Sequence, residues 1–239
     1  MLSVTVVIPT YNEVANLEAI VRGIRSVVTD ARIIVVDDNS PDGTGDLADR
    51  LARDLTHVEV IHRPIKNGIG PAYIAGFQEA LAGTGDLIVT MDADGSHASA
   101  DLTRMLEAVA DADLVIGSRY VNGGRTIGWP RHRQWLSRLG GIYARVILGV
   151  PVRDLTAGFK VYRREALSDL ALDRLRSDGY GFQIETTWRT WRAGYRVREV
   201  PITFHDRIAG KSKLSRRIVA EAIVLVWRLR FERVRRAHP

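Results

Sequence analysis

The chain has no cysteine, which excludes disulfide frameworks, thiolate zinc sites, iron–sulfur clusters and cysteine nucleophiles together. Proline is sparse, with 8 in 239 residues, while 46% of residues are hydrophobic, so the chain is neither collagenous nor disordered. No run of 18 or more apolar residues occurs, which argues against a membrane-spanning helix. The first apolar run, Val4 to Ile8, is short and has no basic residue ahead of it, unlike a secretory signal. Lysine is scarce as well: Lys66, Lys160, Lys211 and Lys213 make up the set, so the positive charge is almost all arginine. The length suits a single α/β domain.

Excess positive charge is confined to one segment. The whole chain carries +6, yet between Lys211 and Arg236 nine basic residues stand against two acidic ones, leaving the remainder at −1. Within that segment Ile218 to Trp227 is apolar except for Glu221, and at helical spacing Arg217, Glu221 and Arg228 share one narrow polar stripe. A basic amphipathic helix is expected at residues 214–239, after a main domain at 1–213, with an anionic membrane surface as its partner. A terminal helix packed on its own domain is the alternative. Nucleic acid fits less well, since aromatics beyond Trp227 and Phe231 are lacking there, and no nucleic-acid partner is expected.

The first half switches repeatedly between strand and helix periods: Val4–Ile8, Glu13–Val27, Arg32–Val36, Asp42–Arg53, Val58–Ile61, Gly70–Leu81, Asp86–Met91, Asp101–Val109 and Asp113–Ile116. This alternation predicts an α/β fold, a mostly parallel sheet with helices on both faces. Farther on, Gln134 to Val150 reads as one or two short amphipathic helices interrupted at Gly140-Gly141. Strands are expected at Val161–Arg163 and Arg196–Pro201, and a helix opening at Phe182.

Ligands of such sheets bind beyond the carboxyl ends of the strands. The residues there are unusually polar: Pro9-Thr10-Tyr11-Asn12-Glu13, Asp37-Asp38-Asn39-Ser40, Asp92-Ala93-Asp94 and Gly117-Ser118-Arg119. Turns and helix caps account for some of the Asn, Asp and Gly. They do not account for the concentration of carboxylates, which calls for a cation or for sugar hydroxyls. Asp92 and Asp94, two apart after a buried strand, project the same way and can address one Mg²⁺ or Mn²⁺ together with its diphosphate.

These strings, with Val7-Ile8-Pro9-Thr10-Tyr11-Asn12-Glu13, Val35-Val36-Asp37-Asp38-Asn39-Ser40-Pro41-Asp42-Gly43-Thr44, Met91-Asp92-Ala93-Asp94-Gly95-Ser96-His97, Gly117-Ser118-Arg119-Tyr120 and Asp154-Leu155-Thr156-Ala157-Gly158-Phe159, closely resemble family 2 glycosyltransferases of the dolichol-phosphate mannose synthase type. The resemblance runs from residue 4 to about 214. It implies a GT-A (Rossmann-like) fold, dependence on Mg²⁺ or Mn²⁺, and transfer of mannose with inversion from GDP-mannose to a polyprenyl (dolichyl-type) phosphate. By that resemblance Pro9, Tyr11, Glu13, Asp37 and Asp38 hold the nucleotide, and Asp92 and Asp94 bind the metal. Ser96 stands where some relatives carry a Gln ligand. Arg119 and Arg133 match the pair that takes the acceptor phosphate, a task suited to guanidinium forks. Arg207 and Lys213 match the loop that closes over the donor diphosphate, and Gln183 and Glu185 match an acceptor-side motif. Asp94, Arg119, Arg133, Arg207 and Lys213 form the expected catalytic set.

A cytoplasmic enzyme, peripheral on the cytoplasmic face of a membrane, follows from a lipid acceptor, held there by the terminal helix or by an integral membrane partner protein. Rivals within the class are transferases that use a UDP-sugar such as UDP-glucose. Outside it stand a non-catalytic nucleotide- or membrane-binding module and a receiver-like signalling domain. The receiver places its acid pair after the first strand, whereas Asp37-Asp38 follows the second. P-loop and dinucleotide enzymes are disfavoured, because neither GxxxxGK[ST] nor GxGxxG follows the first strand.

Overall fold

The computed structural model describes residues 2–175, 177, 179–206 and 216–232. Its strands are β1 (Val4–Thr10), β2 (Arg32–Asp37), β3 (Val58–His62), β4 (Leu87–Thr90), β5 (Leu114–Ser118), β6 (Arg125–Ile127), β7 (Lys160–Arg163), β8 (Val197–Pro201) and β9 (Thr203–His205). Its helices are α1 (Leu17–Val27), α2 (Thr44–Asp54), α3 (Ile69–Ala82), α4 (Ala100–Glu107), α5 (Arg131–Leu148), α6 (Arg164–Ser168), α7 (Gly179–Arg192) and α8 (Arg216–Phe231).

Seven strands form one sheet in the order β3-β2-β1-β4-β7-β5-β8. All run parallel except β7, which is antiparallel to both β4 and β5. From β1 the chain builds outward through β2 and β3, then crosses back so that β4 lies on the other side of β1. The crevice of such a sheet opens at this reversal. Alternate residues of each strand feed opposite faces. Val4, Val6 and Ile8 pack with Leu17 and Ile24 of α1 and Leu102 of α4. Val7, Ile34 and Val36 pack on the other face with Tyr73 and Phe77 of α3, Leu148 of α5, Phe182 of α7 and Leu225 of α8. Each fully buried Leu, Ile or Phe here contributes about 1.5–3 kcal/mol. The expected class, a mostly parallel sheet covered on both faces, is the observed one.

Four local differences from the sequence reading have physical causes. Helix α1 begins at Leu17, four residues after Glu13. Asn12 takes a positive φ of 61°, and the Glu13 carbonyl accepts the N–H groups of Asn16 and Leu17, so Glu13 belongs to the loop rather than to a first helical turn. Helix α5 runs unbroken through Gly140-Gly141. Glycine costs a helix roughly 1 kcal/mol relative to Ala, but Gly141 is buried near the Arg153 carbonyl, and Ala144 and Leu148 anchor the following turns in the core. Helix α7 starts at Gly179, three residues ahead of Phe182. A second, two-stranded parallel sheet pairs β6 with β9, too short for any period to announce it.

Helix α8 turns Leu225, Val226 and Leu229 inward against the domain, packing on α5 and α7. It is tied there by Arg189 of α7, which reaches both Glu185 and Glu232. Ile223, Val224, Trp227 and Phe231 remain on its outer side. Among the described residues, no helix is long and apolar enough to cross a membrane.

Candidate active site

Register places Thr10 beside Asp37, so the loops after β1 and β2 leave the sheet together. They are sewn by hydrogen bonds: Asn12 N–H donates to Ser40 Oγ at 3.1 Å, and Glu13 N–H to Thr44 Oγ1 at 2.9 Å. Asp37 serves this seam. Its carboxylate accepts from Thr10 Oγ1 (3.0 Å), Ser40 Oγ (2.6 Å) and Ser40 N–H (3.0 Å). Asp38, by contrast, lines a cavity of about 80 Å³ with Pro9, Tyr11, Glu13, Lys66, Asp92 and Asp94. Burial pushes the Asp38 carboxyl above the ordinary range, against the pull of its ion partner Arg63. Lys66 Nζ stands 3.6 Å over the Tyr11 ring. A half-buried aromatic ring flanked by acids and one ammonium suits a nucleoside, with hydroxyls for the acids and phosphate for the lysine.

The end of β4 brings Asp92 and Asp94 to the same crevice. Thr90 Oγ1 donates to the Gly158 carbonyl at 2.6 Å, fixing this strand end to the segment that precedes β7. A Cβ on Gly158 would lie 2.9 Å from Asp92 Oδ2, so any larger residue there would displace the Asp92 carboxylate. Tyr73 OH donates to Asp92 Oδ1 at 2.9 Å. Burial, reinforced by Asp92, raises the Tyr73 phenol well above its ordinary pKa, so it stays a proton donor. Ser96 N–H donates to Asp94 Oδ1 at 3.1 Å.

Two carboxylates on a cavity wall fit a hard divalent cation that completes its shell with phosphate oxygens and water. The Ser96 hydroxyl is buried without a hydrogen-bond partner among the described residues, but Ser96 lines neither cavity of the crevice. Among the described residues no group of three or more His, Cys, Asp or Glu is arranged so that it could hold a metal ion. Asp92 and Asp94 are the carboxylates on the wall common to both cavities of the crevice.

On the far side of these two acids lies a second cavity of about 50 Å³, lined by Asp92, Asp94, Arg119, Trp129, Arg133, Tyr180 and Phe204. Arg119, at the end of β5, is 5% exposed and held as a fork on Asp154, with Nε to Oδ2 at 2.7 Å and Nη2 to Oδ1 at 2.6 Å. Burial alone would lower its pKa; Asp154 outweighs burial and raises it, so the guanidinium stays charged. Its Nη1 has no hydrogen-bond partner among the described residues. Arg133, in the first turn of α5, bonds Asp206 at 2.9 Å and lies 4.1 Å over the Trp129 ring, while Arg119 approaches the same ring at 5.3 Å. Trp129 thus gathers two guanidiniums at one opening, a combination whose chemistry suits a phosphate.

The crevice brings together Pro9, Tyr11, Glu13, Asp38, Asp92, Asp94, Arg119 and Arg133 of the expected set. Asp37 lies behind it. Gln183 and Glu185 line neither cavity: the Gln183 carbonyl accepts from Lys160 Nζ, and the buried Glu185 pairs with Arg189. Arg207 and Lys213 lie outside the described residues. Lys66, Arg63, Tyr73, Trp129, Asp154 and Tyr180 are additions. Asp154 sits in a string that carries the family resemblance, without a role assigned to it there; nothing local marks Lys66 or Trp129.

The sequence model of glycosyl transferase family 2 matches residues 5–171. An undecaprenyl-phosphate mannosyltransferase of Micrococcus luteus is 50% identical over 225 residues, covering 94% of this chain and 93% of its own. A polyprenol monophosphomannose synthase of Mycolicibacterium smegmatis is 50% identical over 229 residues, covering 94% and 86%. Among solved structures, glucosyl-3-phosphoglycerate synthase from Mycobacterium tuberculosis, in complex with Mn²⁺, UDP and glucosyl-3-phosphoglycerate, gives a TM-score of 0.66 at 20% identity, over 95% of this chain and 79% of that one. A mannosyltransferase from Pyrobaculum calidifontis, with GDP-Man and Mn²⁺, gives 0.58 at 19% identity, over 93% and 69%. At that identity these two structures speak for the shared GT-A fold alone. The family match runs from β1 through the acidic wall, the Arg119 fork and β7, and half-identical relatives extend over nearly the whole chain, so the protein belongs to glycosyl transferase family 2.

Proposed function

We propose that this chain transfers mannose from GDP-mannose to a polyprenyl monophosphate, with inversion at the anomeric carbon. The observation that carries the reading is the shared acidic wall: Asp92 and Asp94 line both a nucleoside-suited cavity and an anion-suited one. The half-identical relatives, named for mannosyl transfer to undecaprenyl phosphate and for polyprenol monophosphomannose synthesis, support the sugar and the acceptor class.

The chemistry asks little of a base. A phosphate monoester has a second pKa of about 6, so its oxygen arrives ionised near neutral pH. Arg119 and Arg133 receive it and aim it, and neither guanidinium can give up its proton to it. That oxygen forms the new bond to the anomeric carbon as the bond to the diphosphate breaks on the opposite side, which inverts the centre. Asp92 and Asp94 would hold Mg²⁺ or Mn²⁺, which offsets diphosphate charge when bound. Pro9, Tyr11, Glu13, Asp38 and Lys66 position the nucleoside end of the donor.

A lipid acceptor places the work at a membrane. Beyond Arg133, α5 carries Trp135, Leu139, Ile142 and Val146, each at least half exposed; at helical spacing they fall within about 60° of one another. Arg131, Arg138 and Arg145 follow beside them at every seventh residue. The outer residues of α8, which packs on α5, extend the same apolar character. We read this joint face, rather than the terminal helix alone, as the surface that rests on an anionic bilayer on the cytoplasmic side.

The test is a donor panel: purified protein with Mg²⁺ or Mn²⁺, short polyprenyl phosphate and labelled GDP-mannose or UDP-glucose, beside Asp94→Ala. Metal-dependent label in the lipid phase from GDP-mannose, lost in the variant, supports the reading. Label from UDP-glucose alone overturns the choice of donor, and no transfer from either donor contradicts the activity.

A further inference from the structure

Three of the five tryptophans, Trp188, Trp191 and Trp227, line a groove of about 460 Å³ between α5, α7 and α8. Val146, Arg192 and Arg230 complete the walls that matter. The groove shares no lining residue with either cavity of the crevice. It lies at the other end of α5 from Arg133, thirteen residues and so roughly 20 Å along the helix axis.

Its arginines are unlike their neighbour. Arg189, one turn earlier on α7, is satisfied by Glu185 and Glu232. Arg192 and Arg230 have no acidic partner among the described residues. Two guanidiniums without an acidic partner among the described residues, at the rim of an indole-lined groove, are complementary to an anion that carries hydrocarbon. Trp188 is 2% exposed and Trp227 48%, so the groove grades from an apolar floor to a wet rim, as tryptophan does at membrane interfaces. Val146 and Trp227 also belong to the outward apolar face of α5 and α8, so the groove opens on that face.

We infer that this groove binds one anionic phospholipid of the bilayer, its phosphate on Arg192 and Arg230 and its acyl carbons along Trp191, Trp227 and Val146. The inference rests on the membrane-surface reading above and not on the identity of the sugar. An occupied groove pins the far end of α5 to the bilayer and so sets the depth at which Arg133 meets a lipid phosphate.

The experiment uses the full chain and short-chain lipids that stay monomeric, dihexanoyl phosphatidylglycerol and dihexanoyl phosphatidylcholine, read by tryptophan fluorescence. Saturable binding of the glycerol lipid is expected, weaker by about tenfold or more for the choline lipid and for Arg192→Gln/Arg230→Gln. The double variant should keep its circular dichroism and its transfer rate with a short soluble acceptor within twofold. Equal binding of both lipids, absence of saturation, or displacement of the lipid by farnesol overturns the inference, the last by giving the groove to an isoprenoid chain. Saturable binding without any mannosyl transfer supports the groove while contradicting the proposed function.

Discussion

Arg119 gives one edge of its guanidinium to Asp154 and lines the cavity proposed for the acceptor with the rest. Removing one partner of a buried pair strands the other, at about 3–5 kcal/mol. Asp154→Asn should therefore lower the unfolding free energy by that much, read as a lower urea midpoint at unchanged slope. Arg133 differs: its pair with Asp206 is partly exposed, so Arg133→Gln should change stability by less than about 1 kcal/mol. Comparable losses in the two variants would contradict this assignment. Lys160 offers a pH test. It is fully buried, with Nζ donating to the Gln183 carbonyl at 2.9 Å and to Thr186 Oγ1 at 3.0 Å. Burial pulls its pKa from 10.5 down to about 7, against Asp154 and Asp92. Between those values the unfolded chain holds a proton that the native one has released, so stability rises with pH across that window. The contribution is about 1.4 kcal/mol per pH unit. From pH 7.5 to 9.5 in metal-free buffer, the unfolding free energy of wild type, read from urea melts, should rise relative to that of Lys160→Met with that slope; a constant difference contradicts it. At this scale the strand-end acids and Arg119 were legible, because a strand end dictates where its next residues go. Lys66 and Trp129 were not, since each reaches its cavity only through tertiary folding.

Helix α5 joins the acceptor cavity to the apolar face, and its glycines separate local from tertiary effects. Nothing lies within 4 Å of a Cβ at Gly140, so Gly140→Ala should stabilise by about 0.5–1 kcal/mol, seen as a raised urea midpoint at unchanged slope. On α3 a Cβ at Gly76 would meet Val7 Cγ1 at 2.3 Å; Gly76→Ala should destabilise by about 1–3 kcal/mol through overpacking. The pair reads differently in sequence, where Gly140-Gly141 looks like a helix break and Gly76 is unremarked. Local propensity governed that reading, and burial of Ala144 and Leu148 overrode it. The apolar stripe makes its own prediction. Leu139→Glu should weaken binding to phosphatidylglycerol vesicles by about tenfold with secondary structure unchanged, since one leucine contact is worth about 1.5–3 kcal/mol. Binding as tight as wild type would move the membrane face elsewhere, and vesicle binding by the purified chain shows whether an integral partner is needed.

In the whole molecule, the alternation of periods made the parallel sheet and its two helical layers legible, and the strand-end rule located the crevice. The small β6-β9 sheet, with Trp129 and Arg133 just after β6 and Asp206 just after β9, was not, because three-residue strands carry no readable period. Nor was the division of the crevice, which depends on Asp92 and Asp94 standing between the loops of β1 and the end of β5. Under the proposed function the donor binds on one side of the acidic wall and the acceptor on the other. Steady-state kinetics of Arg133→Gln, varying each substrate in turn, tests it most directly. The KM for polyprenyl phosphate should rise about tenfold or more, as for loss of a charged hydrogen-bond donor, with the KM for GDP-mannose unchanged. A rise confined to GDP-mannose would contradict the account.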